Sequence, residues 1–195
     1  PGETNYNIYD RQVAKETVDW LAAHGNEENP WVLFVSMVAP HFPLIAPKEF
    51  YDLYNHLNLM PTKPRENPEH PWHHAMRECQ IMDNFTPEKT RVALTSYYGL
   101  VTFVDDLIGN ILQIVDQKNL HDNTQIFYLS DHGDNIGERD FWGKSNFYEE
   151  SVGIPCIIKG PNMPIGKVCK TPVSLIDIHP TILQTVGIDP GTKPG

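Results

Sequence analysis

An α/β fold with a mostly parallel sheet is what this chain's pattern predicts, on three observations. Two apolar runs, WVLFVSMVAP (31–40) and TQIFYLS (124–130), lack polar alternation, as strands covered on both faces do. Each run follows a stretch of helical periodicity, and helix–strand alternation is the signature of layered α/β architecture. Polar clusters stand just past the end of each run, where open α/β sheets place their ligands.

The first helix is expected from Tyr9 to His24, since Val13, Ala14, Val18, Leu21 and Ala22 recur at helical spacing and Gly25 supplies a stop. The first predicted strand ends at Pro40 and runs into HFPLIAP, where prolines prevent regular structure. Residues 51–85, rich in proline and histidine, read as an irregular excursion of the functional-loop kind. Thr86-Pro87-Glu88 then carries the marks of a helix start: a threonine cap, proline at the first position and an acid in the first turn. Tyr97, Val101, Val104, Ile108, Ile111 and Val115 carry that helix to about Gln117. After the second strand and a loop over 131–149, GIPCII reads as a third strand, which Pro155 makes an edge or bulged one. A short helix in VSLIDIHPTILQTVG closes the pattern, with Pro180 near its first turn and Gly187 past its end.

The 195 residues suffice for one domain or a large part of a bigger one, and 40% hydrophobic with 21% charged residues fits a globular core. A formal charge of -10, from 25 acids and 15 bases, argues against a nucleic-acid surface and permits a cation site. Three cysteines with no C-x-x-C pair give no disulfide framework, and Cys156, inside an apolar run, reads as a buried structural thiol. No segment is expected to span a membrane, and PGETNYNIYD has no signal-peptide pattern.

The chemistry-bearing residues concentrate in YLSDHGDNIGERDFWGKSNFYEES (128–151). Asp131 and His132 offer an oxygen and a nitrogen to a divalent ion, although Asp-His-Gly after a strand equally suits a turn. Gly133 removes side-chain bulk where the backbone must turn close to a ligand. Lys144, flanked by Gly143, is either a solvated surface lysine or a point charge for an anionic oxygen. His41 is either a hydrogen-bonded structural histidine or a general acid. Glu149 and Glu150 fit a solvated edge, a ligand or a base. The tract His70-Pro71-Trp72-His73-His74 lacks defined zinc spacing and suits a substrate-facing loop better than a metal site.

In order, these blocks resemble the sulfatase family of the alkaline-phosphatase-like superfamily. WVLFVSMVAPHFPLIAP is similar to the family's strand and Pro-His-x-Pro segment, and YYGLVTFVDDLIGNILQIVDQKNLHDNTQIFYLSDHGDNIGE to its long helix, second strand and metal loop. WGKSNFYEESVGIPCIIKGP and VSLIDIHPTIL match the blocks that follow. The resemblance implies a partial alkaline-phosphatase-like three-layer sandwich. It implies Asp131 and His132 as ligands of a divalent cation, usually Ca²⁺, with Mn²⁺ or Mg²⁺ as alternatives. It also implies that Lys144 contacts the sulfate oxygens and that His41 assists the ester's leaving side. The Asp-His form, in place of Asp-Asn, occurs in branches resembling choline sulfatases and phosphonate monoester hydrolases.

The family's nucleophile, a formylglycine made from Cys or Ser in C/S-x-P-x-R, has no counterpart in these 195 residues: no cysteine or serine begins that motif. Residues 1–195 are therefore expected to be the carboxyl-proximal portion of a sulfatase catalytic domain, without its nucleophile segment, and inactive alone. The expected partner is a small-molecule or saccharide sulfate ester, and self-association through exposed sheet surface is a further expectation. A phosphate or phosphonate ester hydrolase of the same superfamily stays open as an alternative, as does a non-catalytic protein that binds an anion or a partner.

Overall fold

Two helices carry the scaffold. In the computed structural model, which describes residues 1–79 and 85–191, α1 (Asn5–His24) opens with Thr4, whose hydroxyl accepts the Asn7 N–H while Asn7 reaches back to the Thr4 N–H. At its far end Gly25 donates to the Leu21 carbonyl, and a side chain there would collide with that oxygen and with Leu120. A short helix α2 (Lys48–Asp52) and a second, α3 (Pro71–Cys79), interrupt the region expected to be irregular. Residues 80–84 of that excursion lie outside the described residues.

The long helix α4 (Pro87–Gln117) begins as its sequence predicts, with Thr86 Oγ1 accepting the Lys89 N–H. Its buried stripe is centred on Leu100, Phe103, Val104 and Leu107, which meet Ala14 of α1 and Ala46 and Tyr51 in one cluster. Ile114 and Val115 join Leu21 and Leu120 in a second cluster. Of the expected stripe, Val101 instead faces solvent, rotated around the helix from the contact line of Leu100, Val104 and Leu107. At 31 residues α4 is long and apolar enough to cross a membrane by length and composition alone, against the sequence expectation. Packing on α1 and α2 covers part of that apolar surface, 39% of the most apolar stretch being buried.

The sheet departs from expectation. Among the described residues it consists of β1 (Ile126–Leu129) and β2 (Cys156–Lys159), and they pair antiparallel, Ile126 opposite Lys159 and Leu129 opposite Cys156. The chain reverses direction through the 130–155 connection, so this strand pair needs no crossover. Residues 31–38 are not a strand. Trp31 and Leu33 pack on the second cluster and Met37 on the first, while Val32 and Phe34 are 64% and 88% exposed. The run is thus covered on one face only. Cys156 is likewise exposed, not buried, as is most of β2. A short helix α5 (Glu149–Val152) precedes β2, and α6 (Ile178–Thr185) follows a 3₁₀ turn at Leu175–Asp177.

Candidate functional site

Three side chains from distant parts of the sequence converge beyond the end of β1. Lys144 Nζ lies 2.6 Å from His132 Nε2 and 3.3 Å from His41 Nε2. Each imidazole turns its other nitrogen to a backbone carbonyl, His132 Nδ1 to Gly133 at 2.7 Å and His41 Nδ1 to Phe42 at 2.8 Å. A carbonyl only accepts, so both Nδ1 atoms carry hydrogen and both Nε2 atoms are directed at the lysine.

Each member is held by a traceable local device. The carboxylate of Asp10, fully buried on α1, accepts the Val38 N–H at 2.7 Å and the Ala39 N–H at 2.8 Å. Those bonds satisfy a buried charge with fixed donors and set the path of the backbone into His41. Gly133 donates to the Ser151 carbonyl at 2.8 Å, and a Cβ on it would stand 2.1 Å from the Glu150 carbonyl oxygen. The close approach expected of this glycine is therefore to α5, not to a ligand. Asp134 Oδ1 accepts from Ile136 and Gly143, and Asn135 joins the Gly143 carbonyl through both its backbone and its side-chain N–H. This closure delivers Lys144 next to His132.

The loop so closed is strained. Ile136, Arg139, Asp140 and Ser145 all have positive φ, at 42°, 52°, 58° and 83°. Left-handed conformations of such residues persist only where surroundings over-determine them, and they gather at functional sites. The surroundings come from the excursion. Glu138 accepts the backbone N–H groups of Thr62 and Lys63, and Arg139 donates its own N–H to the Lys63 carbonyl at 2.9 Å. Glu150, nearly buried, pairs with Lys63 and with Arg139 at 2.8 Å. Burial alone would raise the Glu150 carboxyl, but the Lys63 hydrogen bond and the Arg139 charge hold it below its ordinary value. Arg77 of α3 pairs with Glu69 at 2.6 Å and lies over the Phe141 ring, 3.8 Å from its centre.

Two tyrosines register the same enclosure. The Tyr148 hydroxyl is pushed up to about 12, by burial first and then by Glu66. Tyr97 on α4 also reaches about 12, through burial first and then the charge of Asp134.

Of the residues singled out in the sequence, the fold brings together His41, His132 and Lys144, with Asp131 at the edge. The Asp131 side chain is 81% exposed, and its Oδ2 is 3.5 Å from His132 Nε2. Among the described residues no three His, Cys, Asp or Glu side chains are close enough to enclose a metal ion. Asp131 and, once its Nε2 is released from Lys144, His132 would supply two donors of a shell and not a complete one. Glu150 is committed to its ion pairs, and His70, His73 and His74 lie on or beside α3, where His73 accepts contact from the Tyr148 hydroxyl at 3.0 Å. Sequence reasoning missed Asp10, Asp134, Asn135, Glu138 and Arg139. Asp134-Asn135 had a usable signal, since such side chains favour backbone-capping turns.

The sequence model of the Sulfatase family matches residues 1–188. The choline-sulfatase of Rhizobium meliloti (strain 1021) is 31% identical over 195 residues, covering 95% of this chain and 38% of that protein. Among solved structures, the phosphonate monoester hydrolase of Agrobacterium radiobacter superposes with a TM-score of 0.79 at 26% identity, over 89% of this chain and 38% of that one. That from Silicibacter pomeroyi gives 0.78 at 29% identity, over 90% and 38%. The chain spans about 38% of the length of these relatives. The fold is alkaline-phosphatase-like, and the chain belongs to the Sulfatase family.

Proposed function

We propose that these residues form the oxyanion-binding half of a sulfuric-ester hydrolase site. The observation that carries this reading is the convergence of Lys144 Nζ on the Nε2 atoms of His41 and His132. Lys144 is the donor of this cluster, a point charge held between two imidazoles where an anionic oxygen can approach. Lys144 donates to a sulfate oxygen and counters the charge that grows there as the S–O bond to the alcohol breaks. His41 Nε2 stands on the same side and, once protonated, can give that proton to the departing alkoxide oxygen.

Asp131 and His132 would hold a divalent cation, Ca²⁺ or else Mn²⁺ or Mg²⁺, which would supply positive charge to the sulfate oxygens and offset the charge of Asp131. Two donors cannot close a shell, so Ca²⁺ binding by residues 1–195 alone is weak.

Residues 1–195 act as the carboxyl-proximal part of a catalytic domain whose nucleophile and remaining ligands lie on a further segment, with 51–85 on the substrate side. The extended run 31–38, apolar yet exposed on alternate residues, fits a strand of the mostly parallel sheet of a three-layer sandwich completed by that segment. The substrate is a sulfate ester of a small molecule or saccharide. A second reading, phosphonate or phosphate ester hydrolysis, draws support from the likeness to two phosphonate monoester hydrolases.

The test is turnover by the purified chain. Without a formylglycine precursor it is expected to hydrolyse neither 4-nitrophenyl sulfate nor phenyl phosphonate esters. Steady hydrolysis of the sulfate that disappears in Lys144→Ala would show that the nucleophile lies within these residues and overturn the division of labour.

A further inference from the structure

Beside the anion cluster, two aromatic side chains stay open to solvent: Trp72 is 54% exposed and Phe147 91%. With His70 and His73 they line a concavity of about 400 Å³, within the range of small-molecule sites. Its tryptophan and histidine walls are tied down. The Trp72 indole N–H donates to the Ser145 carbonyl at 3.3 Å, which ties this rim to the residue after Lys144. His73 lies 4.5 Å from the Tyr148 ring and 5.5 Å from the buried Phe141 ring. His70 Nδ1 accepts the Trp72 backbone N–H at 3.1 Å, so in the neutral imidazole the proton sits on Nε2 as a donor.

We propose that this concavity holds the sugar ring of a sulfated carbohydrate. The C–H face of a pyranose covers the Trp72 and Phe147 rings, and His70 Nε2–H donates to a ring hydroxyl. An aryl group would use the ring faces and leave the His70 donor idle, and an acyclic alcohol would cover neither aromatic well. The proposal deepens the reading of Lys144 as the sulfate contact and rests on it, because Ser145 links Lys144 directly to the Trp72 rim. Trp72 and Phe147 are thus specificity-determining residues for the organic half of the ester.

The test is an NMR titration of the ¹⁵N-labelled 195-residue chain, following the Trp72 indole N–H, identified by its loss in Trp72→Phe. Four probes are compared: inorganic sulfate, N-acetylglucosamine, N-acetylglucosamine 6-sulfate and phenyl sulfate. The sulfated sugar is expected to bind roughly tenfold more tightly than inorganic sulfate, the scale of good aromatic contacts. Trp72→Ala and Phe147→Ala, both at exposed positions, each bring it down to the level of inorganic sulfate and leave sulfate binding itself unchanged. Equal affinity for the sulfated sugar and inorganic sulfate, or a ratio untouched by both variants, would overturn the proposal. So would an equal gain for phenyl sulfate. Failure of the anion reading looks different: inorganic sulfate leaves the signals around Lys144 in place, while N-acetylglucosamine still moves the Trp72 indole.

Discussion

The α1–α4 scaffold and the 131–152 loop are held by different physics. The scaffold is apolar: Phe103 is fully buried between Phe50, 5.5 Å away, and the Arg11 guanidinium, and its neighbours are Leu100, Val104 and Leu107. The loop has one fully buried large apolar side chain, Phe141, and is otherwise ordered by Glu138, Arg139, Glu150 and the excursion residues Thr62, Lys63 and Arg77. The contrast separates stability from site geometry. Burial makes the fold persist, while charged hydrogen bonds set where Lys144 stands.

The largest effect that sharpens this contrast lies in the scaffold. Phe103→Ala removes a fully buried aromatic ring and is expected to cost about 3–5 kcal/mol in denaturant unfolding. A loss under about 1 kcal/mol would mean that the α1–α4 core is not what holds the chain together. Next comes Glu138→Ala, which removes the acceptor of the Thr62 and Lys63 N–H groups. Hydrogen exchange is expected to quicken about tenfold or more at residues 60–66 and 134–145, with α4 amides unchanged. Equal quickening in α4 would erase the distinction between the two regions.

A smaller effect is pH-dependent. The Glu150 carboxyl sits below its ordinary value of 4.5 in the folded chain. Its contribution is therefore complete above that value and fades as pH falls through the lower folded one. Exchange protection of the loop should drop in that acid window and be flat there in Glu150→Gln. A loop equally acid-sensitive in the variant would assign the effect to another carboxylate, with Glu69, also held low by Arg77 and Arg65 against burial, as the next to replace.

Much of the scaffold was legible. Thr86-Pro87 marked the start of α4 and Gly25 the end of α1, because caps and stops act within a few residues. The strands β1 and β2 were legible as apolar runs, yet their antiparallel pairing was not, since direction depends on where a 26-residue connection travels. Residues 31–38 have strand composition and no ladder here, because pairing needs a neighbour that composition cannot supply. In the site, Asp131, His132 and Lys144 stood out through local clustering. The Asp10 bonds to residues 38 and 39 and the Glu138 bonds to residues 62 and 63 bridge long sequence separations, and no local pattern announces them.

The central claim is that the Lys144 cluster receives a sulfate group, and titration of the ¹⁵N-labelled chain with inorganic sulfate tests it most directly. The account predicts chemical-shift changes confined to residue 41 and to residues 131–133 and 143–146, saturating with sulfate and absent in Lys144→Ala. Changes that spread to other basic surfaces, or that persist unaltered in Lys144→Ala, would contradict it.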